Sequence, residues 1–194
     1  MSRPSRREDL IESALTLFNA NGFHAVGIDR ILSEGGLAKM TLYRHFPSKD
    51  ALILGVLEAR EKSVNGWFAG ILAASYPDGE ARLLAVFDGL ESWFENRSPL
   101  GPFYGCLFVK ASAEFPQPGN TIHQAALEAK LAFVEMVAEA AAQEGFKKPR
   151  LLAREVSILK EGAIVMAHIQ GTSAPASDAR KAAKSLLATW PRKN

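Results

Sequence analysis

Between its proline and glycine breaks, this chain repeats apolar residues at intervals of three and four and shows no alternation at two. That spacing puts apolar side chains on one face of a helix, whereas a half-buried strand needs strict alternation. The breaks fall at Asn21-Gly22, Gly35-Gly36, Phe46-Pro47, Tyr76-Pro77-Asp78-Gly79, 98–102, 116–120, 145–149 and 171–177. Leu10, Ile11, Ala14, Leu15 and Phe18 make one face of a first helix. Leu83, Leu84, Phe87, Leu90, Trp93 and Phe94 do the same near residues 79–96, and Leu127, Leu131, Val134 and Val137 or Ala138 do so in 121–143. The sequence therefore predicts an all-α protein of about nine helices. Pieces before Pro47 are short, and those from Ser48 onward run roughly 15–25 residues. This predicts a three-helix N-terminal head, residues 1–47, joined to a larger helical body, residues 48–194. Ser48 is a good N-cap after Pro47, Asp50 suits the positive first turn, and no flexible linker interrupts the helix they begin.

Composition removes several function classes. A chain of 194 residues, 47% hydrophobic and 23% charged, can bury a core and is neither disordered nor fibrous. Cys106 is the one cysteine, and His24, His45, His123 and His168 are widely spaced, so neither an intrachain disulfide nor a spaced metal-ligand set is predicted. GxSxG, P-loop, HExxH and GxGxxG motifs are absent, so the expectation is a protein that is not an enzyme and carries no cofactor. The arginine-rich start runs into an amphipathic segment rather than a secretory apolar region. No window approaches the roughly 20 apolar residues of a membrane span. A cytoplasmic location without membrane contact is expected, which makes the Asn96-Arg97-Ser98 sequon a chance match.

Residues 27–46 carry the strongest functional signal. A helix with Ile28, Ile31 and Leu32 inward stops at Gly35-Gly36, and a second starts near Ala38 with Leu37 and Phe46 as inward anchors. Two short helices joined by a glycine turn form a helix-turn-helix, whose second helix fits the DNA major groove. That helix offers Lys39, Thr41, Tyr43, Arg44 and His45, which bond phosphates and base edges, with no carboxylate among them. Over residues 1–49, seven cations (Arg3, Arg6, Arg7, Arg30, Lys39, Arg44, Lys49) face five carboxylates, the acids lying on the first two helices. A three-helix lobe with merely solvated charges would share this pattern.

Gly22-Phe23, Ile28 to Ile31, Gly36-Leu37 and, above all, Thr41-Leu-Tyr-Arg-His-Phe-Pro-Ser-Lys-Asp-Ala-Leu52 closely resemble the DNA-binding head of the tetracycline-repressor (TetR) family. The resemblance covers about the first quarter of the chain. It implies a homodimeric transcriptional regulator, usually a repressor, whose helical body binds a small molecule and releases double-stranded DNA. By that resemblance Lys39, Met40, Thr41, Tyr43, Arg44 and His45 fall at groove-facing or phosphate positions. Lys49 falls at the phosphate-contacting start of the fourth helix. Val26-Gly27 stands where the family commonly has a Thr/Ser pair, so Gly27 lacks the hydroxyl that would cap helix two and meet phosphate. Ala38 replaces the usual serine cap of the second helix. Met40, where the family often has a small residue, can touch a thymine methyl or crowd the groove.

The body is rich in aromatics, and two readings of them stand: packed core, or the lining of an apolar ligand site with a few polar groups. Under the second reading Trp67, Trp93, Phe103, Tyr104 and Phe108 line the site, with His123 and His168 as polar anchors for a small apolar or aromatic effector. Gly101 to Phe115 predicts a short helix with Cys106, Val109 and Ala113 on one face, and its Gly-Cys-x-Phe start resembles one branch of the family. Cys106 reads as a small buried hydrophobe or a redox sensor, and Glu114 as a ligand-facing, solvated or helix-pairing carboxylate. Gly162 to Ile169 is apolar on every side except His168, and the last helix carries Ala179, Ala182, Ala183, Leu186 and Leu187. Two such helices per subunit predict a four-helix homodimer interface within residues 150–190, with Ala163 and Ala183 at the contact. The expected function is a ligand-responsive repressor on a roughly palindromic operator. The alternative is a helical small-molecule-binding protein without specific DNA binding.

Overall fold

The computed structural model describes residues 5–193, and Arg3, counted in the head's charge, lies outside them. The described residues form nine helices and no strand. In order they are α1 (Arg6–Asn21), α2 (Ile28–Gly35), α3 (Lys39–His45), α4 (Lys49–Ala73), α5 (Gly79–Phe94), α6 (Leu107–Glu114), α7 (Thr121–Gln143), α8 (Pro149–Gln170) and α9 (Ala174–Thr189). The all-α expectation holds, and α6, at eight residues, is the short exception in the body. No helix among the described residues is long and apolar enough to cross a membrane.

The chain gathers into two compact units. The first comprises the described part of residues 1–62 with Cys106–Ala129, and the second Ser63–Gly105 with the described part of 130–194. Helix α4, about 37 Å long at 1.5 Å per residue, contributes to both.

In the first unit α1 begins with a capping box: the Ser5 hydroxyl accepts from Glu8 N–H, and the Glu8 carboxylate accepts from Ser5 N–H. Leu10, Ala14, Leu17 and Phe18 are buried, and Phe18 meets Phe23 at a ring distance of 5.1 Å. Leu17, rather than Leu15, completes the α1 face. Ser13 Oγ donates to Ile31 O at 3.1 Å and ties α1 to α2. The alanine and glycine caps carry a testable cost. Neither Gly27 nor Ala38 supplies a side-chain bond to the helix it begins. Ala38 is exposed and already has cap geometry, with φ −82° and ψ 145°. Ala38→Ser is therefore expected to raise unfolding stability by about 1 kcal/mol. A urea melt with an unchanged or lower midpoint would refute this.

In the second unit α9 packs on both α5 and α8. All six α5 residues expected inward, Leu83 through Phe94, are buried. Arg180 donates to Asp88 at 2.7 Å, joining α9 to α5. Lys160 is buried with its ammonium 3.8 Å from the Phe133 ring centre and 2.8 Å from Glu161. Burial alone would raise the Glu161 carboxyl, but the Lys160 and Lys130 ammoniums outweigh it and hold it below the ordinary value.

Two expected faces are displaced in part. On α7 the core takes Ile122, Ala126, Ala129 and Phe133 beside the expected Val134, Val137 and Ala138, while Leu127 and Leu131 stand 45% and 50% exposed. On α6 the core takes Leu107, Phe108 and Ala111, whereas Val109 and Ala113 are exposed. On α8 and α9, Ala163 and Ala183 are buried in the single chain, and Ala163 also lines a groove between the two helices. Their small side chains serve the close contact of α8 with α9.

Candidate nucleic-acid interface and ligand-binding body

The reading helix is positioned from within. Helix α2 ends at Gly36, whose φ of 60° is the left-handed conformation glycine takes without strain. Leu37 N–H bonds back to Leu32 O at 2.9 Å and turns the chain into α3. Leu42 and Phe46 are buried, each contributing about 1.5–3 kcal/mol of apolar burial. The Phe46 ring fills the space above Gly55, where an added Cβ would lie 2.8 Å from it, and the Arg7 guanidinium covers it at 5.2 Å. With that side of α3 fixed, Lys39, Met40, Tyr43, Arg44 and His45 are exposed and Thr41 is half-buried. Met40 is 84% exposed and Tyr43 49%, so two large side chains stand in water beside two cations. Lys39 lies 3.6 Å from Asp29, an exposed pair worth little and easily exchanged for a phosphate. Gly27 is exposed, with open space around its missing side chain.

Lys49 is placed differently from its neighbours. It is half-buried, and its ammonium donates to Phe23 O at 2.7 Å. Phe23 N–H in turn donates to Glu114 Oε1 at 2.9 Å. Glu114 is the residue that sequence reasoning placed least well. It lies 91 positions from Phe23, and no local pattern records such a pairing.

The expected ligand-lining residues fall in both units. In the second unit Trp93 is buried against Phe103 at a ring distance of 5.0 Å, and Phe103 also meets Phe94 at 4.6 Å and His168 at 6.2 Å. Gly105, at φ 82°, leaves room for the His168 ring, which a Cβ would approach to 3.1 Å. Trp67 is half-buried beside Phe68, which stacks edge-on against Phe133. Tyr104 is exposed. Phe108 and His123 belong to the first unit, where Phe108 is buried and His123 Nδ1 donates to Phe115 O at 2.9 Å. Cys106, also there, is buried.

A glycine-turned helix pair that holds a basic, carboxylate-free helix in solvent defines a helix-turn-helix DNA-binding regulator. Residues 10–56 match the family described as bacterial regulatory proteins, tetR family, and residues 79–183 match the tetracyclin repressor-like C-terminal domain. The chain belongs to the TetR family of transcriptional regulators. The crystal structure of SCO4454, a TetR-family transcriptional regulator from Streptomyces coelicolor, is 31% identical, with 94% of each chain covered and a TM-score of 0.84. The HTH-type transcriptional regulator YjdC of Escherichia coli K12 is 24% identical over 182 residues, which is 94% of this chain and 93% of that one. The HTH-type transcriptional activator FasR of Mycolicibacterium smegmatis is 33% identical over 100 residues, 50% of this chain and 44% of that one.

Proposed function

We propose that this regulator is a ligand-responsive repressor that binds a roughly palindromic operator as a homodimer and leaves it when a small apolar or aromatic molecule binds the body. Residues 1–47 read the DNA and residues 48–194 bind ligand and partner subunit. The chain acts in the cytoplasm, without a membrane and without a catalytic step. The observation that carries this reading is the solvent-facing side of α3, where Met40, Tyr43 and Arg44 stand over a buried Leu42 and Phe46. Tyr43, Arg44 and Met40 would meet base edges, while Lys39, Thr41, His45, Gly27 and Lys49 would lie toward phosphates.

The second subunit has a face to meet. Ile158 and Ile169 are 71% and 70% exposed on α8, and Met166 is exposed between them. A groove of about 390 Å³ lined by Ile158, Leu159, Met166 and Ala182 runs between α8 and α9. An apolar surface of this kind is stable in water when a symmetric copy covers it.

The ligand reading rests on Trp93, Phe103 and His168, an aromatic group with one polar member. An apolar ligand there is expected to change Trp93 fluorescence and to lower DNA affinity 5- to 150-fold, an ordinary coupling of about 1–3 kcal/mol. Aromatic metabolites screened by fluorescence, then by release of a duplex selected from a random pool, test this. A ligand that changes fluorescence and leaves the duplex bound would overturn the coupling. With a reporter gene behind the selected duplex, expression that rises with the regulator would replace repression by activation, as FasR's name has it for that protein.

A further inference from the structure

Helix α6 is fastened to the reading head by directional bonds. Glu114, its last residue, places its two carboxylate oxygens on consecutive backbone donors of the α1–α2 loop: Phe23 N–H at 2.9 Å and His24 N–H at 2.6 Å. His24 returns the contact, its Nε2 donating to Glu114 O at 2.9 Å. One turn earlier on α6, Lys110 Nζ donates to Asn19 O at 2.6 Å, near the end of α1. The Phe115 ring closes over the same loop, 4.9 Å from His24 and 6.0 Å from Phe23. Gly22 is what admits the carboxylate. Its φ of 84° turns the two amides to one side, and a Cβ there would lie 2.6 Å from Glu114 Oε1.

The clamp reaches further than the loop. The Phe23 peptide is held at both ends, by Glu114 on its N–H and by Lys49 on its C=O at 2.7 Å. Lys49 opens α4, four residues after α3 ends at His45. A line of charge-assisted bonds thus runs from α6 through one peptide to the segment that anchors the reading helix. All of these residues lie in a single compact unit. Charge-assisted bonds are the stronger kind, and a carboxylate seated on two amides has few other geometries.

We propose that Glu114 is a positioning residue for DNA recognition: by gripping the Phe23 and His24 amides it makes α6 a working part of the head, so that α6 sets the placement of α3 through Phe23 and Lys49. This rests on the DNA-binding reading of α3 given above.

The test uses the full-length chain and a duplex that the wild type enriches from a random pool. Glu114→Ala removes both acceptors, and Glu114→Gln keeps the shape while presenting an amide donor to one of the two N–H groups. For Glu114→Ala we expect affinity for the enriched duplex to fall about tenfold or more. Glu114→Gln should fall between the two. Affinity for unselected duplex should fall much less, because the exposed cations of α3 remain. Amide exchange at Phe23 and His24 should accelerate in the same order. A merely structural Glu114 would lower the melting temperature and leave the ratio of selected to unselected binding as it was, which overturns the proposal. Should Glu114→Ala fail to fold, Glu114→Gln decides by the same ratio. Wild-type chain that enriches no duplex would overturn the DNA reading and this inference with it. Enrichment by wild type with equal binding by both variants would overturn this inference alone.

Discussion

Replacing Tyr43 and Arg44 together by alanine is expected to abolish selective DNA binding while leaving the fold intact. Both side chains are exposed on α3, and the residues that hold that helix, Leu42 and Phe46, are untouched by the change. Removing one side chain from a base edge costs about 1–3 kcal/mol, so the double change should cost roughly 2–6 kcal/mol per head. In the proposed dimer two heads would act, so the effect on a palindromic site should exceed that on a half-site. Part of the effect is general, since one cation is removed and the salt slope should flatten by about one unit per head. The expected result is a double variant with the wild-type melting temperature that no longer separates the enriched duplex from random sequence. Retained selectivity would move the reading surface away from α3.

The second large effect is expected at Ile158. In one subunit this side chain is 71% exposed beside the groove between α8 and α9, so glutamate there costs the isolated chain almost nothing. In a symmetric dimer the same substitution occurs twice on the covered face, and an uncompensated carboxylate in an apolar contact is strongly unfavourable. Ile158→Glu should sediment as a monomer at micromolar concentration with unchanged helix content. Without the second head, operator affinity should then fall about 10²- to 10⁴-fold, as expected when a paired binding event becomes single. Ala183→Glu separates the two kinds of damage. That residue is fully buried where α9 packs within the chain, so its variant should lose helix content rather than only its partner. Wild-type chain that sediments as a monomer would refute the dimer.

Much of the fold was legible because helix periodicity and helix boundaries are local. The glycine pair that ends α2, the Phe46-Pro47 stop after α3 and the Ser48 cap, which accepts from Ala51 N–H at 3.1 Å, can each be read within a few residues. The solvent-facing side of α3 was legible for the same reason. A seven-residue helix with one buried leucine has its outward side chains fixed by a 100° step. Recognition of the family rested on that same short stretch, and the body offers less local pattern to guide a reading.

What failed was the choice among apolar stripes where more than one is present. Leu127 and Leu131 make as good a face for α7 as Ala126, Ala129 and Phe133, and hydrophobicity alone favours the leucines. The stripe with Ala126, Ala129 and Phe133 is the buried one, an outcome set by what surrounds α7 rather than by α7 itself. Ala163 and Ala183 pose a related question. Small residues that permit close contact do not say whether the neighbour is in the same chain, and here α8 and α9 supply each other.

The sequence by itself determined the class of fold, the position and exposed polar side of α3 and the two missing caps, because each follows from hydrogen-bonding and steric rules acting over about four residues. Only the tertiary structure decided that Glu114 clasps Phe23 and His24, that Lys49 turns its ammonium to Phe23 O, and that Ile158 rather than Ala163 stands outward on α8. Those outcomes join residues up to 91 positions apart, as Glu114 and Phe23 are. A partner is chosen there by which helices come into contact, and the energies of such contacts do not exist until the chain has folded.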